Sequence, residues 1–336
     1  MKGLKIDAFC HIIPIKFKDM LFGAVQEKPF LRGYVEPWQS VWDIDRRRKM
    51  MDRYDGLMEI ISIGAPPIEQ FVSDKEKAAD LAKLANDEMA ELVYMYPDYF
   101  VAAVACLPIN HIDAALKEID RAIISLKFRA ILIHTPVNDK PLDLPEFEPI
   151  YQKMCEYDLP ILVHPFRSPE FTDYKTEDKS KYRIANTIGW PYETACMMLR
   201  LTFSGILQKY PNLKILTHHA GGFIPYLEKR IVGGYDTAEM RGNEPYKLGL
   251  TKPPVEYLKR FYLDTALHGH MPALMCAYAF CGVEKMLFAT DSPYDSQLGD
   301  RYTRENINAV EQMEISDVEK KMIFEDNARK LFHLPI

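Results

Sequence analysis

The sequence predicts an α/β protein folded as one (β/α)8 TIM barrel, distorted by an insertion after its first strand, and three observations carry that prediction. Eight short apolar runs alternate with helical patterns, which implies a parallel sheet, and eight strands are the number that closes such a sheet on itself. Four of the runs end on histidine or aspartate: His11 after Lys5-Ile6-Asp7-Ala8-Phe9-Cys10, His164 after Ile161-Leu162-Val163, His218-His219 after Leu216-Thr217, and Asp291 after Phe288-Ala289-Thr290. Barrels of this kind do their chemistry at the carboxyl ends of the strands. The length of 336 residues suits a single domain of this class, spanning 1–336.

The first strand, Lys5–Ile12, is stopped by Pro14. Alternate residues of a strand share a face, so Asp7, Phe9 and His11 are expected inside the barrel, and Ala8 and Cys10 outside. Residues 15–48 are too long for an ordinary connection and carry Phe17, Phe22, Phe30, Tyr34, Trp38 and Trp42. They read as a small insertion over the mouth of the site, or as a mini-core of their own. After a helical stretch at 45–55, further strands are expected at Leu57–Ile63, Phe100–Leu107, Ala130–Ile133, Leu159–Val163, Leu213–Thr217, Phe261–Asp264 and Lys285–Thr290. Helices are expected between them at Asp74–Tyr94, Ile112–Ser125, Pro145–Glu156, Ala195–Lys209 and Ile224–Gly233, with start signals at Ser73-Asp74 and Asn110. An amphipathic helix over Ser316–Leu331 closes the chain.

Hydrophobic residues make up 48% and charged residues 27%, the composition of a protein with a full core. A net charge of −6 speaks against a nucleic-acid partner, and Arg46-Arg47-Arg48 is too short a basic run to alter that. The six cysteines form no CxxC pair and read as free thiols of a reducing compartment. No apolar run reaches bilayer length, and the strand pattern begins at residue 4 without a leader-like stretch. A cytoplasmic protein without a membrane partner is expected.

Imidazoles and a carboxylate at strand ends suit zinc or a similar divalent ion, with a position left open for water or substrate. His11, His164 and Asp291 are therefore candidate metal ligands; the bland alternatives are a structural histidine at 164 and a turn cap at 291. His218 and His219 are neighbours, so in a regular strand only one faces the lumen, where it serves as general acid or base. The following Gly221-Gly222 lets backbone approach a ligand closely. His134, His268 and His270 contact substrate or lie solvated in loops; His111 and His333 have no assigned function. Arg47 and Arg167 are candidate clamps for a substrate carboxylate, or else salt-bridge partners.

Taken in order, several segments together resemble the amidohydrolase superfamily, and within it the decarboxylase branch typified by aminocarboxymuconate semialdehyde decarboxylase and γ-resorcylate decarboxylase. The resemblance covers nearly the whole chain: Ile6-Asp7 with His11-Ile12-Ile13-Pro14, residues 137–143 and 145–149, Leu162-Val163-His164-Pro165, His219 to Pro225, Asp264-Thr265, and Phe288 to Pro293. It implies a distorted (β/α)8 barrel holding one divalent metal, zinc first and manganese second, and a homodimer. It also implies nonoxidative loss of CO2 from an aromatic or muconate-type acid. His11, His164 and Asp291 match the metal ligands, and Asp291 doubles as a catalytic group. His219 matches the catalytic histidine because six residues separate it from Pro225, with His218 second. Arg47 falls near an arginine that binds substrate carboxylate in some relatives. The family's first strand normally offers His-x-His or Glu-x-His, whereas this chain has Phe9 at the first of those positions. That departure makes a metal-free protein an alternative.

The first functional expectation is a metal-dependent decarboxylase of a small aromatic or unsaturated carboxylic acid. Phe9 then forms an apolar wall against the ring, with Arg47, His218 and His268 as further substrate contacts. The second is a hydrolase or hydratase working through metal-bound hydroxide. The third is a noncatalytic relative that binds a ligand without turnover.

Overall fold

The computed structural model describes residues 3–25, 30–64, 67–241 and 249–336. Eight strands, β1 Lys5–Ile12, β2 Leu57–Ile63, β3 Phe100–Ala105, β4 Ala130–Thr135, β5 Ile161–Pro165, β6 Ile215–Thr217, β7 Tyr262–Asp264 and β8 Met286–Leu287, pair in sequence order, each neighbouring pair parallel. The barrel closes through the chain after β8: Ala8 N–H donates to Phe288 O (2.9 Å), Asp291 N–H to Phe9 O (3.1 Å) and His11 N–H to Ser292 O (2.8 Å). The expected run to Thr290 is thus extended, but its last residues bond to β1 rather than lengthening β8.

Strand alternation sorts the apolar residues into two layers. Ile6, Ile60, Ala102, Val104, Leu132, Leu162, Leu216 and Leu287 fill the lumen, while Ile12, Ile61, Ile63, Ile131, Ile133, Val163 and Ile215 face the surrounding helices. Burying each Val, Leu or Ile of these layers contributes about 1.5–3 kcal/mol. Leu331 and Phe332 also join the lumen cluster, so the end of the C-terminal helical stretch plugs the barrel. That stretch starts at Ser316 with a capping box to Glu319 and passes through a wide π-helical turn at Met322–Asp326. Asp74 caps its helix as expected. At Ile112, by contrast, the helix begins from His111, and Asn110 instead donates to the Val72 carbonyl.

β1 does not alternate throughout. Its register against β2 slips between Asp7 and Cys10, where three residues of β1 span two of β2. Ala8 and Phe9 both join the lumen cluster, while Asp7 faces the seam, accepting from the backbone N–H of Phe9 (3.2 Å) and of Thr290 (3.1 Å). The expected shared face of Asp7, Phe9 and His11 therefore holds only for the last two.

Of the 15–48 segment, helix Ile15–Ala24 packs Phe17, Leu21 and Phe22 into the outer core, and Trp38 reaches the cavity described below. Phe30 and Tyr34 lie outside the residues whose side chains are described.

Glu69, in the short helix Ile68–Phe71, is buried, and burial pushes its carboxyl up to about 7. The folded state then holds a proton that the unfolded chain releases near its ordinary value of 4.5, so stability is lost as pH rises toward and through 7. In urea unfolding, the difference between wild type and Glu69→Gln is expected to change by about 2 kcal/mol between pH 5 and pH 8. A difference independent of pH would contradict this.

Candidate active site

His11 ends β1, His164 lies in β5, His218 follows β6 directly, and Asp291 sits past β8. The fold gathers one donor atom of each within 4.8 Å of the others, all buried. His11 Nε2 and His218 Nε2 each lie 3.3 Å from Asp291 Oδ1. The other ring nitrogens are anchored from behind. His11 Nδ1 lies 3.3 Å from Ser62 Oγ, His164 Nδ1 lies 2.6 Å from the Pro165 carbonyl, and His218 Nδ1 pairs with Asp264. A carbonyl only accepts, so His164 carries its proton on Nδ1 and turns a lone pair on Nε2 toward the cluster.

Although buried, His11 Nε2 and His218 Nε2 make no hydrogen bond. Buried polar atoms without partners are rare enough to need a cause, and a cation between these rings and the Asp291 carboxylate supplies one. The donor set fits a divalent metal.

The electrostatics agree. Burial lowers the pKa of His11 and takes that of His164 well below its ordinary value, so both rings stay neutral. Burial alone would raise Asp291, yet contacts from His11, His218, His219 and His268 hold it well below the usual carboxylate range. With no cation in the cluster His218 is held up at about 10, because Asp264 and then Asp291 outweigh the burial that opposes its charge; a cation at Nε2 would displace that proton.

Backbone geometry explains why both adjacent histidines reach the site. β6 ends at Thr217 and the chain turns left-handed at His219 (φ 54°) and Ala220 (φ 50°). A regular strand would have sent one ring away; instead the two rings sit 3.9 Å apart. His218 is fully buried, whereas His219 lines the cavity with Nε2 3.7 Å from Asp291 Oδ2. Asp291 itself has φ 61°, a conformation non-glycine residues rarely adopt and one that concentrates at functional sites.

Above the cluster opens a cavity of about 670 Å³, walled by Trp38, Trp190, Tyr294 and Tyr302, with His164, His219, His268 and Asp291 at its floor and side. His268 stacks on Tyr302 (4.1 Å) and places Nε2 3.6 Å from Asp291 Oδ2. Arg167 lines the cavity, but Glu193 pairs with it at 2.5 Å. Arg183 and Trp190 also line it, from a stretch after β5 in which the sequence shows no periodic signal. His134 is buried beside His164, 5.3 Å between rings, and burial lowers it to about 3. His270 is exposed at the start of helix Met271–Cys281.

Four expectations need correction. Arg47 is no clamp for substrate: it is 2% exposed, its Nε lies 3.0 Å from both Glu59 oxygens, and its Nη1 donates to the His11 carbonyl (3.2 Å). Phe9 is no wall of the cavity, being fully buried and stacked on His218 at 4.1 Å. His218 is likewise shut off from the cavity and cannot touch substrate there. Gly222 serves packing rather than a ligand, because a Cβ there would lie 2.3 Å from the Pro191 carbonyl.

The amidohydrolase family model matches residues 6–334. The chain is 30% identical over 297 residues to gamma-resorcylate decarboxylase of Rhizobium radiobacter, covering 86% of this chain and 87% of that one. It is 26% identical to 2-amino-3-carboxymuconate-6-semialdehyde decarboxylase of Dictyostelium discoideum, covering 99% and 92%. The crystal structure of a dihydroxybenzoic acid decarboxylase from Polaromonas sp. JS666, with bound manganese and the inhibitor 2-nitroresorcinol, superposes with a TM-score of 0.81 at 28% identity, covering 98% and 97%. This chain therefore belongs to the amidohydrolase family and, within it, to the branch of the gamma-resorcylate and aminocarboxymuconate semialdehyde decarboxylases.

Proposed function

We propose that the protein is a metal-dependent nonoxidative decarboxylase of a small aromatic or unsaturated carboxylic acid. The observation that carries this reading is the convergence of buried imidazoles and one carboxylate beneath a cavity walled by aromatic rings. His11, His164 and Asp291 would hold a divalent ion, which would supply Lewis-acid polarisation of the substrate's carboxylate. Trp38, Trp190 and Tyr302 line the slot that takes the ring and give it apolar walls. His219 faces that slot. Burial lowers its pKa and makes its protonated form a stronger acid than free imidazole. It delivers a proton to the ring carbon that bears the carboxylate, with Asp291 orienting its Nε2. The C–C bond then breaks, its electron pair restores the unsaturated system, and CO2 leaves.

The same reading takes zinc as the resident metal, and a homodimeric, cytoplasmic protein. Its six cysteines are all free, which suits a reducing compartment, and no helix among the described residues is long and apolar enough to cross a membrane.

The test is CO2 release from a panel of ortho-hydroxybenzoic acids including gamma-resorcylate, with metal content measured on the same protein. About one divalent ion per chain is expected, and its removal by a chelator is expected to lower turnover at least ~100-fold. Addition of water without CO2 would move the assignment to a hydratase. Tight ligand binding with no product and no metal would move it to a noncatalytic relative.

A further inference from the structure

We infer that His218 supplies a fourth protein donor to the metal, from β6, and that Phe9 is the seat that holds its imidazole in place. This rests on the metal-dependent reading above and says which atoms make up the ion's surroundings.

His218 has the build of a ligand rather than of a substrate contact. One face of the argument is its partner. Asp264 Oδ1 accepts from the backbone N–H of Ala220 (2.9 Å) and of Ala266 (3.1 Å), so the carboxylate is pinned, and its other oxygen faces His218 Nδ1. A carboxylate so placed keeps the ring proton on Nδ1 and leaves the Nε2 lone pair directed inward, the arrangement that orients metal-binding histidines. That Nε2 is buried, makes no hydrogen bond, and converges with His11 Nε2 on the same Asp291 oxygen.

The second face is Phe9. Its ring stacks on His218 at 4.1 Å and 22°, and lies 5.7 Å from the ring of His11 and 6.0 Å from that of His164. It is a dry apolar floor touching every imidazole of the cluster. Phe9 carries no donor, so β1 contributes only His11; the donor missing there arrives from across the lumen, on the ring that Phe9 itself supports. The adjacent histidines divide the work, His218 toward the ion and His219 toward the substrate.

The resulting set is three imidazoles and one carboxylate. Nitrogen-rich sets favour zinc over manganese, and with a divalent ion the set carries one net positive charge, which suits an anionic substrate.

The count of nitrogens can be read on the unaltered protein. With Mn(II) loaded into protein labelled with 15N-histidine, electron-nuclear double resonance is expected to show three coordinated imidazoles; two would overturn the inference. Zinc affinity, measured by competition with a chromophoric chelator, is expected to fall at least ~100-fold in His218→Asn and to stay within ~3-fold of wild type in His219→Asn. Returning a donor to β1 in Phe9→Glu/His218→Asn is expected to recover at least ~10-fold of that loss. Unchanged zinc affinity in a folded His218→Asn protein would overturn the inference. These readouts need no substrate. CO2 release with two coordinated imidazoles would therefore refute the fourth donor and spare the decarboxylase reading, and three imidazoles without CO2 release would do the reverse.

Discussion

Asp291→Asn is expected to lower kcat by about three to four orders of magnitude, some 4–5.5 kcal/mol of transition-state stabilisation, while leaving the protein folded. No other side chain in the site serves so many partners. Oδ1 faces His11 and His218, and Oδ2 faces His219 and His268. Those contacts hold the carboxyl well below its usual range against the pull of burial, so it is charged at any working pH. Asparagine keeps the shape, removes the charge, and turns an amide NH2 toward the imidazole nitrogens around it. Turnover, metal content and circular dichroism on the same preparation check this. A rate within tenfold of wild type would sink both roles assigned to Asp291.

The second large effect lies behind the site. Arg47→Met is expected to cost about 3–5 kcal/mol of stability, because it strands the Glu59 carboxylate in a dry layer where Asp7 is already pushed up to about 8 by burial and by Glu59 itself. The double variant Arg47→Met/Glu59→Leu is expected to recover most of that loss, since two apolar side chains can replace a buried ion pair. Urea unfolding of the two variants separates this from a substrate-binding role. A clamp would raise KM and leave the unfolding midpoint in place.

Much of this was legible in the sequence, for reasons that differ by element. Unbroken apolar runs such as Ile60-Ile61 and Ile131-Leu132-Ile133 belong to strands covered on both faces, and they announce themselves without a partner. Strand-ending residues point to the site because a parallel barrel sends all its carboxyl ends the same way; hence His11, His164 and Asp291 could be grouped from their places at strand ends.

What escaped the sequence depends on backbone choices that side chains do not advertise. Ala8 and Phe9 are both apolar, so the bulge that places them on one face leaves no trace in the pattern. Left-handed backbone at His219 and Asp291 breaks the period-two rule at the point where it was needed to choose between His218 and His219. For Arg47 the sequence left clamp and salt-bridge partner both open, because its partner, Glu59, sits on β2, and only the tertiary fold shows the guanidinium paired there. The stretch that brings Arg183 and Trp190 to the cavity has no periodicity to read.

The barrel's seam has a bearing on how the protein comes into being. The backbone bonds that join Phe9 and His11 to Asp291 and Ser292 unite positions at opposite ends of the chain; the neighbouring Thr290-to-Asp7 bond spans 283 residues. Bringing ends so far apart together costs roughly 5 kcal/mol of chain entropy, a charge that falls on the last strand to dock. During synthesis His11 and His164 leave the ribosome long before Asp291 does. The site is therefore born in the same event that completes the barrel, and the ion proposed between His11 and Asp291 would act as a rivet across the joint, making maturation of the catalyst and closure of the chain a single step.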